Sequence, residues 1–207
     1  MIIAIEGASA AGKTTWCRRH CTYPWVQETP QDIVAPDLFG DPAEVGRFWV
    51  AHAVGNWQRA LDIEREHGIA ICDGDPLHLY FAWSLWRSGA LSRALFDRES
   101  ELYLKALQER RIGLVDFIFW LDVPEDELRR RAAADTTRRR KRHEMLLTLV
   151  SWMKAWFAAR ERILRGTVRP LNPHLGLPEL PGTSSSHRYD LSLWTRMTEA
   201  LSSARGK

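Results

Sequence analysis

The stretch Ile2-Ile3-Ala4-Ile5-Glu6-Gly7-Ala8-Ser9-Ala10-Ala11-Gly12-Lys13-Thr14-Thr15 decides the reading. A short apolar run ends at Glu6, a loop of small residues follows, and Lys13 opens a helical segment reaching about His20. Gly7 to Thr14 satisfies G-x-x-x-x-G-K-[ST] at every position, in the strand–loop–helix context that the pattern requires. Glycines let such a loop curl so that several backbone N–H groups point at one anion. The amino end of the following helix turns its positive dipole end to the same place. Lys13 can reach the β- and γ-phosphates, and the Thr14 hydroxyl can hold Mg²⁺. Gly7, Ala8, Ser9, Ala10, Ala11, Gly12, Lys13, Thr14 and Thr15 are therefore expected to bind a nucleoside triphosphate, ATP with Mg²⁺. A glycine-rich turn with no ligand is the competing reading, and the agreement of motif with context outweighs it.

The rest of the chain alternates short apolar runs with helical patterns. Tyr23–Glu28, between Pro24 and Pro30, reads as a second strand. Asp41-Pro42 starts a helix carrying Val45, Trp49, Ala53, Trp57 and Leu61 at helical spacing, and Gly68 stops it. Ile69–Cys72 is a third strand. Helices are expected over Leu77–Arg87 and Leu91–Arg110, a strand over Val115–Leu121, and a helix over Pro124–Ala134. The last opens with Glu125, Asp126 and Glu127 and closes with Arg129, Arg130 and Arg131, which suits the helix dipole. One long helix is expected from His143 to about Arg165, then a short strand near Thr167–Pro170 and a final helix from Leu191 to about Ser203. Strands in this alternation form a parallel sheet with helices on both faces, a three-layer α/β fold. Ligands of such sheets bind at the carboxyl ends of the strands.

Length and composition agree. A chain of 207 residues suits one domain over 1–207. A net charge of +3 from 29 basic and 26 acidic residues does not call for nucleic acid, and none is expected as a partner. Three cysteines, Cys17, Cys21 and Cys72, contain no C-x-x-C pair, which argues against a disulfide framework and suggests buried thiols in a reducing cytoplasm. The first residues are too short and uncharged for a signal peptide. Asp116 and Asp122 interrupt the longest apolar stretch, so no membrane span is expected.

Three groups of residues carry further chemistry. Ile69–Cys72 runs into Asp73-Gly74-Asp75-Pro76. An acid ending a strand beside the phosphate loop can hold a metal-bound water or orient a hydroxyl, so Asp73 is a candidate for metal and catalytic work and Asp75 for substrate contact. Asp-Gly and Asp-Pro are also strong turn formers, which is the plainer explanation. Glu28 ends the second strand and could take the proton of an attacking hydroxyl, or be an ordinary loop glutamate. The run Arg138-Arg139-Arg140-Lys141-Arg142 could be a solvated face, a nucleic-acid patch, or a set of charges closing over a transferring phosphoryl group. A phosphate loop in the same chain favours the last, with Arg138 and Arg140 as catalytic candidates in a lid at about 135–142. His20, His52, His78 and His143 lack metal-ligand spacing.

With these residues in place, the layout over about residues 1–165 resembles the P-loop kinases of nucleosides and nucleotides, including their antibiotic-phosphorylating relatives. The resemblance implies a P-loop NTPase fold with an arginine-rich lid, transfer of the ATP γ-phosphate to a hydroxyl, a small-molecule acceptor, and a cytoplasmic monomer or homodimer. In deoxynucleoside kinases a Glu-Pro element after the second strand supplies the base. Glu28-Thr29-Pro30 is similar with one residue inserted. The family's long pocket helix, with its aromatic and glutamine contacts, corresponds to the segment bearing Trp49, Trp57 and Gln58. The family's third strand ends in an acid–arginine pair, whereas this chain has Asp73-Gly74. The rival reading implied is a nucleoside monophosphate kinase, with Arg47, Arg59 and Arg87 holding the second phosphate. Another is an ATP-gated ligand-binding protein with little transfer.

Overall fold

A computed structural model describes residues 1–29, 33–34, 36–37, 40–136, 142–181 and 186–202. The centre is a parallel sheet of β1 (Ile2–Gly7), β2 (Ala70–Asp73), β3 (Phe117–Leu121) and β4 (Val168–Pro170) in the order β2-β1-β3-β4. All six residues of β1 are buried, as expected for a strand covered on both faces. Side chains alternate between two cores. Ile2, Ala4, Cys72 and Ile118 join one, and Ile3, Ile5, Ile71, Phe117 and Phe119 join the other.

The first core is roofed by α2 (Pro42–His67), α3 (Leu79–Arg87), α4 (Arg93–Gln108), α7 (Val150–Ile163) and α8 (Leu191–Ser202) through Trp57, Tyr80, Tyr103, Trp156 and Trp194. The second is covered by α1 (Lys13–His20), α5 (Glu125–Ala134) and α6 (His143–Thr148) through Trp16, Leu128 and Leu147. This is the three-layer α/β arrangement. Asp41 caps α2 by accepting from the Ala43 N–H at 2.9 Å, and Gly68 ends it in a left-handed conformation. Among the described residues no helix is long and apolar enough to cross a membrane.

Several expectations change. Tyr23–Glu28 is not a strand but a single parallel bridge, Val26 to Cys72, in which the Val26 N–H donates to Ile71 and the Asp73 N–H donates to Val26. Pro24 has no N–H to extend that ladder. The bridge still sets Glu28 two residues beyond it, at the carboxyl edge of β2. The helix expected over His143–Arg165 breaks at Leu149. There the Leu149 N–H turns back to Leu146, and the Thr148 hydroxyl donates to the Met145 carbonyl at 2.7 Å. Leu147 packs into one core while Leu149 and Met153 pack into the other, and no single straight helix serves both. Cys17 and Cys72 are buried free thiols, but Cys21 is only partly buried. Asp122 pairs with Lys154 at 2.7 Å.

Candidate functional site

The phosphate-loop sequence lies where β1 hands over to α1. Gly7 passes so close to β3 that a Cβ there would stand 2.9 Å from the Leu121 carbonyl oxygen, so only glycine fits. The loop then curls through Ala10, a non-glycine residue at φ 71°, and closes with the Ala11 N–H donating to Ala8. No side chain caps α1 and no acid stands in its first turn, which leaves its amino end open to an anion. Ser9 and Ala10 are partly buried and Thr15 is exposed. Lys13 reaches back over the loop, with Nζ donating to the Gly7 carbonyl at 3.3 Å.

Three separate segments supply acids around Lys13. The Glu28 carboxylate stands 3.5 Å from Lys13 Nζ and packs on Gly74. Gly74 has φ 96°, a conformation that other residues rarely adopt, and a Cβ added to it would lie 3.2 Å from Glu28 Cγ and crowd that side chain. Asp73 ends β2 and accepts from the Thr14 hydroxyl at 2.5 Å. These are hard oxygen donors of the kind Mg²⁺ takes, one carboxylate and one hydroxyl. Among the described residues no cluster of three or more His, Cys, Asp or Glu side chains could hold a metal.

Asp75 is buried and bound into its own turn, where Oδ1 accepts from the Leu77 N–H at 3.0 Å. The turn-former explanation thus accounts for Asp75, with its carboxyl additionally attracted to the buried Arg160.

Sequence reasoning passed over several residues that converge here. Glu6 is fully buried at the end of β1. Its Oε1 accepts from the Asp75 N–H at 2.6 Å and its Oε2 from the Gly7 N–H at 3.2 Å, joining the loop to the Asp73–Asp75 turn. The signal was present: an acid inside an apolar strand needs partners. His78 Nε2 lies 3.8 Å from Glu28 Oε1. The Glu28 carbonyl accepts from Asn56 Nδ2 at 3.2 Å and contacts His52 Nε2 at 2.6 Å. Arg131, on α5, donates from Nη1 to the Ala11 carbonyl at 2.7 Å and is a basic group already seated on the loop.

Burial sets the electrostatics of this end. It pushes the Glu6 carboxyl up to about 8, against the attraction of Lys13, with Glu28 and Asp75 adding to the rise. Burial also raises Asp75 to about 6, opposed by Arg160. Burial lowers His78 to about 4, so its contact with Glu28 is that of a neutral imidazole at pH 7. For Lys13 burial works against the charge, but Glu28, Glu6 and Asp73 outweigh it and hold the ammonium well above the usual lysine range.

The residues expected from the pocket helix divide. Trp49 stacks on His78 with ring centroids 5.2 Å apart and so borders Glu28. Trp57 is 1% exposed, donates to the Tyr189 hydroxyl at 3.2 Å and presses on Gly113, before the amino end of β3. Gln58 is exposed and bonded to Asp62 at 3.1 Å. Both expectations are corrected: the helical period turns 49, 52 and 56 toward Glu28, 53, 57 and 60 to the core, and 58 to solvent. Arg138, Arg139 and Arg140 lie outside the described residues. Arg142, at the end of the expected lid, pairs with Asp37 at 2.8 Å.

Neither a protein-family model nor a curated protein matches the chain. Solved structures do match. The deoxyadenosine kinase from M. mycoides with bound dATP aligns at TM-score 0.52 and 13% identity, covering 98% of each chain. The same enzyme with products dCMP and a flexible dCDP aligns at 0.55 and 14%, over 98% of this chain and 97% of that one. With bound dCTP it aligns at 0.52 and 13%, over 99% and 100%. At such identity the likeness is one of fold, a P-loop α/β architecture.

Proposed function

We propose that this chain is a Mg-ATP-dependent small-molecule kinase that transfers the γ-phosphate to a hydroxyl of a nucleoside-like acceptor. The observation that carries the reading is Glu28 at 3.5 Å from Lys13. A carboxylate able to accept a hydroxyl proton stands beside the ammonium that would hold the transferring phosphoryl group. The backbone N–H groups of the loop and the open end of α1 hold the phosphates, and Lys13 draws charge off the γ-phosphate as it develops. Thr14 and Asp73 would hold Mg²⁺, which when bound neutralises the β- and γ-oxygens. Glu28 takes the acceptor's proton, held by Gly74 beneath it and by His52 and Asn56 on its own carbonyl. The lid arginines Arg138 and Arg140 would add charge, together with Arg131.

A monophosphate acceptor is less well supported. Arg47 and Arg59 lie twelve residues apart on α2, about 18 Å along its axis. Arg87 is occupied by the faces of Trp83, Trp86 and Trp152. These three do not converge on a second phosphate. An antibiotic-like acceptor remains in the same reaction class.

A mass-shift screen tests the proposal. The protein is incubated with Mg-ATP and a panel of nucleosides, nucleotides and hydroxylated antibiotics, and one acceptor is expected to gain one phosphate. Lys13→Ala, folded to the same thermal midpoint, should lose about 10³-fold of that activity. Unchanged turnover in this variant refutes the assignment. Slow acceptor-independent hydrolysis with tight retention of a panel member would instead support the ATP-gated binding protein.

A further inference from the structure

Glu28 turns its two carboxylate oxygens to two different neighbours. Oε2 stands 3.5 Å from Lys13 Nζ, and Oε1 stands 3.8 Å from His78 Nε2. Its main chain is tied to α2, where the Glu28 carbonyl accepts from Asn56 and contacts His52. The last torsion of a glutamate is soft, with broad two-fold wells. A carboxylate that must offer one particular oxygen to a reacting hydroxyl therefore needs a partner on the other.

His78 is placed to be that partner. It stands directly before α3, and its backbone N–H donates to the Pro76 carbonyl at 2.9 Å. Three rings enclose its imidazole. Trp49 from α2 stacks on it with centroids 5.2 Å apart and planes 24° apart, and Tyr80 and Phe81 from α3 lie at 5.3 and 5.1 Å. Burial keeps the ring neutral at pH 7 against the pull of Glu28, and His52 and Lys13 add to that effect. A neutral imidazole has one N–H donor and one acceptor. With its proton on Nε2 it points a donor at Oε1 and brings no second full charge beside Lys13. A separation of 3.8 Å is longer than a hydrogen bond, and catalytic hydrogen bonds often close only when the substrate is seated. Packing of the ring among its aromatic neighbours is the plainer explanation, and the two make opposite demands on a substitute.

We propose, resting on the phosphotransfer reading, that His78 is a positioning residue for Glu28: its Nε2–H holds Oε1 and leaves Oε2, the oxygen on the Lys13 side, to take the acceptor's proton. That proton leaves the hydroxyl for Oε2 as the hydroxyl oxygen bonds the γ-phosphorus. The bond from that phosphorus to the β,γ-bridging oxygen breaks, and ADP departs. His78 neither gains nor loses a proton in the step. Glu28 can be the base without His78, so this role is separate from the reading it rests on.

The test uses Mg-ATP and the panel member that gains a phosphate in the mass-shift screen. His78→Phe keeps an aromatic ring among Trp49, Tyr80 and Phe81 and removes the N–H. It should lower kcat about ten- to a hundred-fold, while KM for ATP and for the acceptor stay within about three-fold. His78→Gln gives up the ring but can return an N–H from its amide, and should keep kcat within about three-fold of wild type. A packing role demands the reverse order, Phe active and Gln impaired, and that order overturns the proposal. In a Glu28→Gln background, His78→Phe should change kcat less than about two-fold, because a residue acting through the base has nothing left to position. An undiminished loss there overturns the proposal and leaves Glu28 standing as the base. The imidazole ¹⁵N spectrum of the unliganded wild-type chain at pH 7 depends on no altered activity. It should show His78, identified by the signals that His78→Gln lacks, as neutral with its proton on Nε2, and a proton on Nδ1 overturns the proposal. A loss of only a few-fold in Glu28→Gln alone overturns the base assignment and this proposal together. No transfer to any panel member overturns the phosphotransfer reading as well.

Discussion

The two ends of the sheet both withdraw charge from water, and they treat it in opposite ways. At the amino ends of β1 and β3, Arg188 bonds Glu64 at 2.7 Å and also Asp116, while the Met1 ammonium bonds Glu64 and the Ile2 N–H donates to Asp116 at 2.7 Å. Burial would lift Glu64, but Arg188 and the Met1 ammonium outweigh it and hold its carboxyl below the usual range. At the carboxyl ends, Glu6, Glu28, Asp73 and Asp75 gather around Lys13 and Arg160, and Glu6 and Asp75 are pushed up rather than down. The first arrangement is balanced and ties the segment before α8 to α2 and β3. The second crowds four carboxyl groups together in a buried space, and burial keeps a proton on Glu6 where the first arrangement supplies cations.

The comparison breaks if the two ends respond alike. The largest effect is expected at Glu28. Glu28→Gln should lower turnover roughly 10²–10⁴-fold on the acceptor found by the screen, with the thermal midpoint unchanged. A loss of only a few-fold would move the base to Asp73 or Asp75. Arg188→Ala should do the reverse. It takes the shared guanidinium from Glu64 and Asp116, whose side chains are 17% and 2% exposed, and should cost about 2–4 kcal/mol in urea unfolding. For a chain of this size that is roughly 5–15 °C in Tm. Turnover at 25 °C should change less than about two-fold.

A smaller effect sharpens the contrast through pH. Glu6 is protonated in the folded chain at neutral pH and ionised in the unfolded one, so the folded state holds the extra proton and stability falls as pH rises from about 4.5 to about 8. His78 acts oppositely, losing stability for the fold as pH falls below 6.5 toward 4, and stops contributing above 6.5. Between pH 6.5 and 8 the unfolding free energy should therefore fall by about 1–2 kcal/mol. Glu6→Gln should remove most of that slope. A wild-type slope of zero or of opposite sign would show that Glu6 is ionised in the fold.

Features written within a few neighbouring residues could be read without a structure. The phosphate loop is contiguous, so strand, loop and α1 follow from Ile2–His20. Asp41 and Gly68 bound α2 through capping that involves only their own turns. Glu28 and Asp73 were legible as acids ending short apolar runs. Trp57 and Gln58 were misread because resemblance places residues on a helix without telling which way each faces, and one residue turns a side chain by about 100°. The break at Leu149 was hidden because apolar periodicity does not reveal that Leu147 and Met153 serve different cores. Glu6, His78 and Arg131 could not be joined to the site from the sequence because their partners lie 69, 50 and 120 residues away.

The linear order of residues thus settles most of the alternating elements, the phosphate-loop turn between β1 and α1 and the acid that ends β2, because each depends on backbone conformation and hydrogen bonds over a few residues. Packing alone decides that Glu28 meets Lys13, that Gly74 leaves room for it, that Glu99 faces Gly46, and that Arg188 closes the far end. Those pairings join residues far apart in the chain, and the direction of each side chain follows from which face of its helix or strand the two cores have taken.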